Sequence, residues 1–205
     1  PFFRKDLAGL AEVGNFDDDW ERIAEADWII EVVKEDLAIK KLVLAKAAEH
    51  RKACAVVTSN TSGLSVAAMC EGLDDEFRAH FLVTHFFNPP RYLKLLEIIP
   101  GPDSDPEVVA DMRDFVDRRL GKGVVLAKDT PNFVANRVGV FGMLDTIHAM
   151  AEQGLTVEEA DYLTGPLVGR PKSASFRTAD LVGLDTFVAV AGNVYDGCPD
   201  DEARE

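Results

Sequence analysis

The segment THFFNPPRYLKLLEII, residues 84–99, contains a histidine and a glutamate that could work together as an acid–base pair. Glu97 lies within an apolar run, where a buried carboxylate is costly unless a partner stabilises it. His85 is the candidate partner, because two strands joined by a tight Asn-Pro-Pro turn would bring the two positions side by side. A carboxylate orients an imidazole and stabilises its protonated form, which helps the ring take a proton. The alternative is a structural histidine, with Glu97 facing solvent.

Metal binding is a poorer interpretation of His85, because no second histidine lies at ligand spacing. We predict no metal site. The other three histidines are interpreted as a helix-end residue, a residue leading into a strand and a helix-face residue: His50, His80 and His148.

The three cysteines are widely spaced and include no CxxC pair. A disulfide framework or a zinc site is therefore not expected, and a reducing cytoplasm fits this usage. We interpret Cys54, in the run CAVV, as a small buried apolar residue.

The composition limits the classes of partner. The 205 residues carry a formal charge of -14, and 47% of them are hydrophobic. A packed core is therefore expected, whereas nucleic acid and anionic membranes are disfavoured because both need a basic footprint. No apolar run approaches the roughly 18–20 residues of a membrane span, and no signal peptide pattern is present. We expect a cytoplasmic protein, and the start at PFFRKDLAGL without methionine indicates a fragment.

The first part of the chain alternates strand and helix signals, which is typical of βαβ units and a mainly parallel sheet. The predicted strands are Trp28–Val33, Ala53–Thr58, Phe81–Phe86, Lys94–Ile99 and Gly123–Leu126. The predicted helices are a short one in residues 17–26, Glu35–His50 and Asp105–Leu120.

Polar clusters follow three of these strands, at Glu31–Glu35, Ser59–Ser62 and His85–Asn88. In parallel sheets, ligands bind at the carboxyl ends of the strands. The three clusters should therefore converge on one edge of the sheet.

The sequence pattern changes after residue 127, where strand signals stop. We place one domain at residues 1–127 and a helical one at residues 128–205. Asn132–Glu152 is predicted as a long helix, and Thr156 with Glu159 forms a capping box for the next one. The stretch GPLVGRPKSASFRT is predicted as a loop, followed by a helix at Asp180–Val194 that is interrupted at Gly183. A helical domain of this size has a thin core and gains from docking on another chain. We therefore expect a homodimer through this domain.

Five stretches in order resemble the 3-hydroxyacyl-CoA dehydrogenase family of fatty-acid β-oxidation: IIEVVKEDLAIK, SNTSGL, THFFNPPRYLKLLEII, the LGK of residues 120–122 and KDTPNFVANR. The resemblance covers nearly the whole chain. It implies an α/β fold, with a partial Rossmann-like NAD-binding domain followed by an all-α domain. It also implies NAD-dependent oxidation of 3-hydroxyacyl-CoA. The loop GRPKSASFRTADLVGLDT resembles a bacterial branch in which an enoyl-CoA hydratase region belongs to the same protein.

The resemblance assigns roles to individual residues. His85 matches the catalytic base and Glu97 its carboxylate partner, while Ser62 and Asn136 match residues that hold the substrate. The positions that match contacts to NAD and the acyl end are Glu35, Lys40, Asn60, Ser62 and Asn88. Each of these has a structural alternative, such as a turn residue, a strand breaker or an exposed helix face.

The chain lacks the GxGxxG turn with which the family binds the cofactor pyrophosphate. We therefore expect the isolated chain to bind NAD weakly or not at all. The alternative function is a non-catalytic scaffold or dimerisation module of a multifunctional fatty-acid oxidation protein. A related dehydrogenase acting on a polar hydroxy acid is a minor option, against which HFFNP argues. The acyl chain length depends on pocket volume and is not predicted.

Overall fold

The computed structural model describes residues 4–201. The chain divides between Thr130 and Pro131 into two compact units. In the described residues, no helix is long and apolar enough to cross a membrane.

The first unit contains a five-stranded sheet with the strands in chain order. Every neighbouring pair is parallel except β3 and β4, which are antiparallel, so the predicted mainly parallel α/β fold is confirmed. The strands are β1 (Trp28–Glu31), β2 (Val56–Ser59), β3 (Phe81–Phe86), β4 (Leu95–Pro100) and β5 (Gly123–Leu126).

Among residues 4–130, four α-helices accompany the sheet, and their ends follow from local sequence. Asp36 begins the first by accepting hydrogen bonds from the Ala38 and Ile39 amides. Gly121 ends the fourth in the left-handed region, at φ 65°, which glycine adopts without strain. The helices are α1 (Leu37–His50), α2 (Val66–Met69), α3 (Asp75–Ala79) and α4 (Pro106–Leu120), with 3-10 turns at Lys5–Leu10 and Trp20–Glu25.

The core beside α4 shows which way β3 and β4 face. Leu82 of β3 and Ile98 of β4 are buried in one cluster with Met112 and Val116 of α4. Because side chains alternate across a strand, the intervening residues of both strands face the opposite side of the sheet. His85 is among them.

Two predictions about the early strands need correction. Trp28–Val33 was expected as a buried strand, but β1 ends at Glu31 and Ile30 is 40% exposed. Among the described strands β1 lies at an edge of the sheet, so only part of it is covered. Cys54 is exposed, not buried. It lies in a turn closed by the hydrogen bond from the Ala55 amide to the Lys52 carbonyl, ahead of β2.

In the second unit the described regular elements are all helical, as predicted: α5 (Ala135–Gln153), α6 (Val157–Thr164), α7 (Phe176–Val182) and α8 (Leu184–Gly197), with a 3-10 turn at Pro166–Val168. The capping box of Thr156 and Glu159 is confirmed. Gly183, at φ 97°, separates α7 from α8 at the predicted interruption. The predicted loop was wrong in part, since it contains the 3-10 turn and the start of α7.

Candidate active site

The carboxyl ends of three parallel strands meet at one edge of the sheet. The register pairs Glu31 of β1 with Ser59 of β2, and Ser59 with Val83 of β3. The segments that follow β1, β2 and β3 therefore leave the sheet together. This confirms the predicted convergence of the three polar clusters.

His85 and Glu97 form the buried pair that the sequence suggested. They lie directly opposite each other in the antiparallel β3–β4 register. His85 Nδ1 is 2.8 Å from a Glu97 carboxylate oxygen, and the side chains are only 4% and 1% exposed. The interpretation of Glu97 as a solvent-facing residue was therefore wrong.

The pairing determines which imidazole nitrogen can act as a base. An ionised carboxylate only accepts hydrogen bonds, so Nδ1 must carry the proton that it donates to Glu97. In a neutral ring, Nε2 then holds the lone pair. The Phe87 ring, with its centroid 4.3 Å from the imidazole centroid, packs against His85 and restricts its orientation. The arrangement can accept a proton at Nε2 and stabilise the resulting cation through Glu97.

A second buried charge pair lies at the end of β1. The Lys40 ammonium is 2.8 Å and 3.0 Å from the two Glu31 carboxylate oxygens and 3.3 Å from the Val33 carbonyl. Ser59 donates its hydroxyl hydrogen to the same carboxylate. Because these groups satisfy one another, both charges can stay buried. The alternative that Lys40 lies on an exposed helix face was wrong.

Glu35 connects this charge pair to the segment that follows β2. Its carboxylate lies 3.3 Å from the Lys40 ammonium and accepts hydrogen bonds from the Thr61 hydroxyl and the Ser62 amide, the latter at 3.0 Å. The Glu35 side chain is 46% exposed, so it faces both the protein and solvent. Lys40 thus contacts carboxylates of the chain. Of the two predicted cofactor contacts Glu35 and Lys40, only Glu35 is exposed enough for a ligand to reach.

Asn60 ties two strand ends together. Its side-chain oxygen accepts a hydrogen bond from the backbone amide of Phe86 at 2.9 Å. Its backbone amide donates a hydrogen bond to the Glu31 carbonyl at 2.9 Å. Asn60 therefore positions the residue that follows His85.

The remaining predicted site residues differ in exposure and place. Asn88 is exposed in the segment between β3 and β4, and Ser62 is half-buried beside Glu35. Asn136 is half-buried on α5, in the second unit.

Three polar residues that the sequence analysis did not single out also position segments of the first unit. Thr61 is fully buried and accepts hydrogen bonds from the amides of Gly63 and Leu64, at 3.4 and 3.0 Å. Asp129 accepts hydrogen bonds from the amides of Val66 and Ala67 and from the Ser65 hydroxyl, so it caps α2. Lys122 contacts the segment between β3 and β4. The LGK run contains Lys122 and the KDT run contains Asp129, so the motifs could have pointed to these two residues.

No group of histidine, cysteine, aspartate and glutamate able to hold a metal ion occurs among residues 4–201. Burial raises the pKa of the Cys70 thiol to about 12, so this cysteine stays protonated at neutral pH.

The family models match both units. Residues 2–130 match the NAD binding domain of 3-hydroxyacyl-CoA dehydrogenase, and residues 133–205 match its C-terminal domain. The chain therefore belongs to the 3-hydroxyacyl-CoA dehydrogenase family of NAD-dependent oxidoreductases.

Several curated relatives carry related names. A probable 3-hydroxyacyl-CoA dehydrogenase of Bacillus subtilis is 60% identical over 189 residues, which are 92% of this chain and 24% of that protein. A second, of Deinococcus radiodurans, is 46% identical over 98% of this chain and 58% of its own length. A putative fatty acid oxidation complex trifunctional enzyme of Rickettsia felis is 34% identical over 99% of this chain and 28% of its own length. The chain thus spans between a quarter and three-fifths of these relatives.

Solved structures agree with this placement. The crystal structure of M. tuberculosis FadB2 has a TM-score of 0.81 and 29% identity, over 89% of this chain and 63% of that one. The (S)-3-hydroxybutyryl-CoA dehydrogenase PaaH1 of Ralstonia eutropha has a TM-score of 0.79 and 25% identity, over 88% and 62%.

Proposed function

We propose that the protein containing this chain oxidises (S)-3-hydroxyacyl-CoA to 3-oxoacyl-CoA with NAD, as a step of fatty-acid β-oxidation. The observation that carries the proposal is the buried His85–Glu97 pair, at 2.8 Å, at the carboxyl end of β3. The family membership and the names of the Bacillus and Rickettsia relatives support the reaction and the pathway.

His85 acts as the general base. Its Nε2 takes the proton of the substrate 3-hydroxyl, while Nδ1 keeps its proton and its hydrogen bond to Glu97. The Glu97 carboxylate stabilises the imidazolium that forms, and burial strengthens this interaction because little water screens it. By resemblance, the Ser62 hydroxyl donates a hydrogen bond to the developing charge on the substrate oxygen. Asn136, on α5, matches a position at which the family holds its substrate.

The groups at the sheet edge fit the nicotinamide end of NAD. The Ser62 hydroxyl and the Asn88 amide are uncharged donors and acceptors of the kind that a carboxamide needs. Glu35, which is beside Ser62, is partly exposed to solvent and can accept hydrogen bonds from a ribose. When bound, NAD accepts the hydride from C3 of the substrate. Lys40 contributes by holding Glu35 in place. No GxGxxG turn occurs in these 205 residues to bind the pyrophosphate.

The test of the reaction uses the full-length gene product. It is incubated with NAD and with 3-hydroxybutyryl-CoA or longer acyl homologues, and NADH absorbance is followed. Mass spectrometry then identifies the 3-oxoacyl-CoA product. Turnover that requires both NAD and the acyl-CoA supports the proposal. A protein that is folded but silent with every chain length would instead favour the non-catalytic scaffold function.

We also propose that the protein forms a homodimer through its helical unit. Large apolar side chains on all four described helices of this unit are exposed to solvent, including Phe141 at 57%, Leu181 at 74% and Val188 at 67%. Exposed apolar side chains of neighbouring helices are typical of an association site where they form one patch. Light scattering of the full-length gene product at micromolar concentration should give the mass of a dimer, and a monomer would contradict the proposal.

The relatives also suggest an attached partner activity. The Rickettsia relative is named as a trifunctional enzyme of a fatty acid oxidation complex, and this chain covers 28% of it. We propose an enoyl-CoA hydratase region in the same protein. Sequencing the gene and assaying crotonyl-CoA hydration by its full-length product would test this.

A further inference from the structure

Lys122, from the LGK motif, has a role that the catalytic pair does not explain. It follows Gly121 at the end of α4, and its side chain is only 8% exposed. Its ammonium donates hydrogen bonds to the carbonyls of Pro90 and Leu93, the latter at 2.8 Å. A lysine is costly to bury, so a charge placed against two backbone carbonyls indicates a specific positioning task.

The segment that Lys122 holds is also bonded to the start of β5, where the Gly123 amide donates to the Lys94 carbonyl at 2.8 Å. Residues 87–94 connect β3 to β4 and include Pro89 and Pro90, which have no N–H group to donate. Within the segment, the amides of Tyr92 and Leu93 donate to the Pro89 carbonyl at 3.0 and 3.1 Å. Lys122 adds two bonds that join the segment to the α4–β5 connection, so it limits how far the segment can move.

The same lysine also reaches the residue next to the catalytic histidine. Its ammonium lies 5.5 Å from the centroid of the Phe86 ring, within the range of a cation–π interaction. Phe86 follows His85 directly, and two residues further on Asn88 begins the turn. Lys122 therefore contacts both ends of the stretch that carries Asn88.

We propose that Lys122 is a positioning residue that holds Asn88 in place for the nicotinamide ring of NAD. It acts through the backbone of residues 88–93 and does not contact the substrate. The inference rests on the proposed function, because it takes Asn88 as a cofactor contact. It gives the LGK motif a role, which is to keep the backbone of residues 88–93 in the conformation that NAD binding requires.

The test compares K122M with the parent in the full-length gene product. Methionine keeps much of the apolar stem and removes the ammonium. We expect the KM and the Kd for NAD to rise about tenfold, with kcat at saturating NAD changed by less than about threefold. The matched control is K94M, because Lys94 belongs to the same segment and is exposed. Equal NAD constants for K122M and K94M would overturn the proposal.

A double-variant cycle separates positioning from general stabilisation. If Lys122 acts through Asn88, N88A weakens NAD binding and adding K122M weakens it little further. Full additivity of the two effects contradicts the proposal. Hydrogen exchange should accelerate in residues 87–93 of K122M but not in β4, whereas acceleration throughout the sheet indicates a merely structural role. If K122M does not fold, K122Q, which keeps a polar end, replaces it.

Failure of the proposed function has a separate signature. A parent that binds NAD but oxidises no 3-hydroxyacyl-CoA refutes the reaction, and the calorimetric Kd values of K122M and K94M still decide the positioning role. A parent that binds no NAD refutes both.

Discussion

Replacing Glu97 by glutamine removes the negative charge beside His85 while keeping the volume and an oxygen that can accept a hydrogen bond. In the structure the two groups are 2.8 Å apart and almost fully buried, so water contributes little screening. A hydrogen bond to a charged group is worth about 1.5–3 kcal/mol. We assign that energy to the imidazolium that forms as His85 takes the proton.

This energy converts directly to rate. At about 1.4 kcal/mol for each factor of ten, kcat of E97Q should fall by about 10-fold to 150-fold. A glutamine that turns its NH₂ group toward Nδ1 would favour the other tautomer and enlarge the loss, so the range is a lower bound. The free energy of unfolding should change by less than about 1 kcal/mol, because a neutral amide costs less to bury than a carboxylate.

The assay is NADH production by the full-length gene product, followed with saturating NAD and 3-hydroxybutyryl-CoA, together with urea unfolding of each variant. E107Q is the matched control, since Glu107 is an exposed glutamate at the start of α4. A kcat of E97Q within twofold of the parent would refute the role of the carboxylate. A large loss of stability in E97Q would show that the pair serves the fold first.

Three further predictions follow from the contacts. In urea unfolding, K40M should lower the free energy of unfolding by about 3–5 kcal/mol, because it leaves the buried Glu31 charge unpaired. The control K46M, on the exposed side of α1, should change it by less than about 0.5 kcal/mol. D129A removes the hydrogen bonds that cap α2 and should cost about 1–2 kcal/mol in the same measurement; an unchanged midpoint would refute the cap. Iodoacetamide at neutral pH should label Cys54, which is exposed, and spare Cys70, whose pKa burial raises to about 12; mass spectrometry of the peptides would reveal the reverse order if this is wrong.

The raised pKa of Cys70 also gives the sign of a pH effect. Between about pH 9 and pH 12 the folded thiol keeps its proton, while the unfolded thiol, with a pKa near 9.0, loses it. Stability from this group is therefore complete below about pH 9 and falls as the pH rises toward 12.

Strands β3, β4 and β5 were predictable within one residue because each is a short and mostly apolar run, and glycine or proline marks an end of β4 and of β5. The His85–Glu97 pairing was one of two alternatives that the sequence left open; the antiparallel register decides it, although residues 87–94 form a longer connection than the tight turn we expected. Helices α2 and α3 were missed, since four or five residues do not show a helical period. The burial of residues next to a strand in sequence was also not predictable, as Cys54 shows: it was expected to be buried and is exposed.

The polar network around Lys40 was beyond local sequence reasoning. A lysine among charged and apolar residues on a helix is typical of a solvated face, and nothing nearby indicates burial. Its burial depends on Glu31, nine positions away, and on Ser59, which a neighbouring strand brings to the same carboxylate. The sheet register places Glu31 beside Ser59, and the packing of α1 on the sheet brings Lys40 to them. The resemblance to the family identified the position, but the structure shows which atoms the ammonium contacts.

The most direct test of the central claim is the rate of the His85→Gln variant of the full-length gene product, measured beside the parent with NAD and 3-hydroxybutyryl-CoA. We predict that kcat falls by about 10²–10⁴-fold, the usual contribution of a general base, while the Kd for NAD stays within about twofold. A variant that keeps the parental kcat would show that another group removes the proton and that the buried pair is structural.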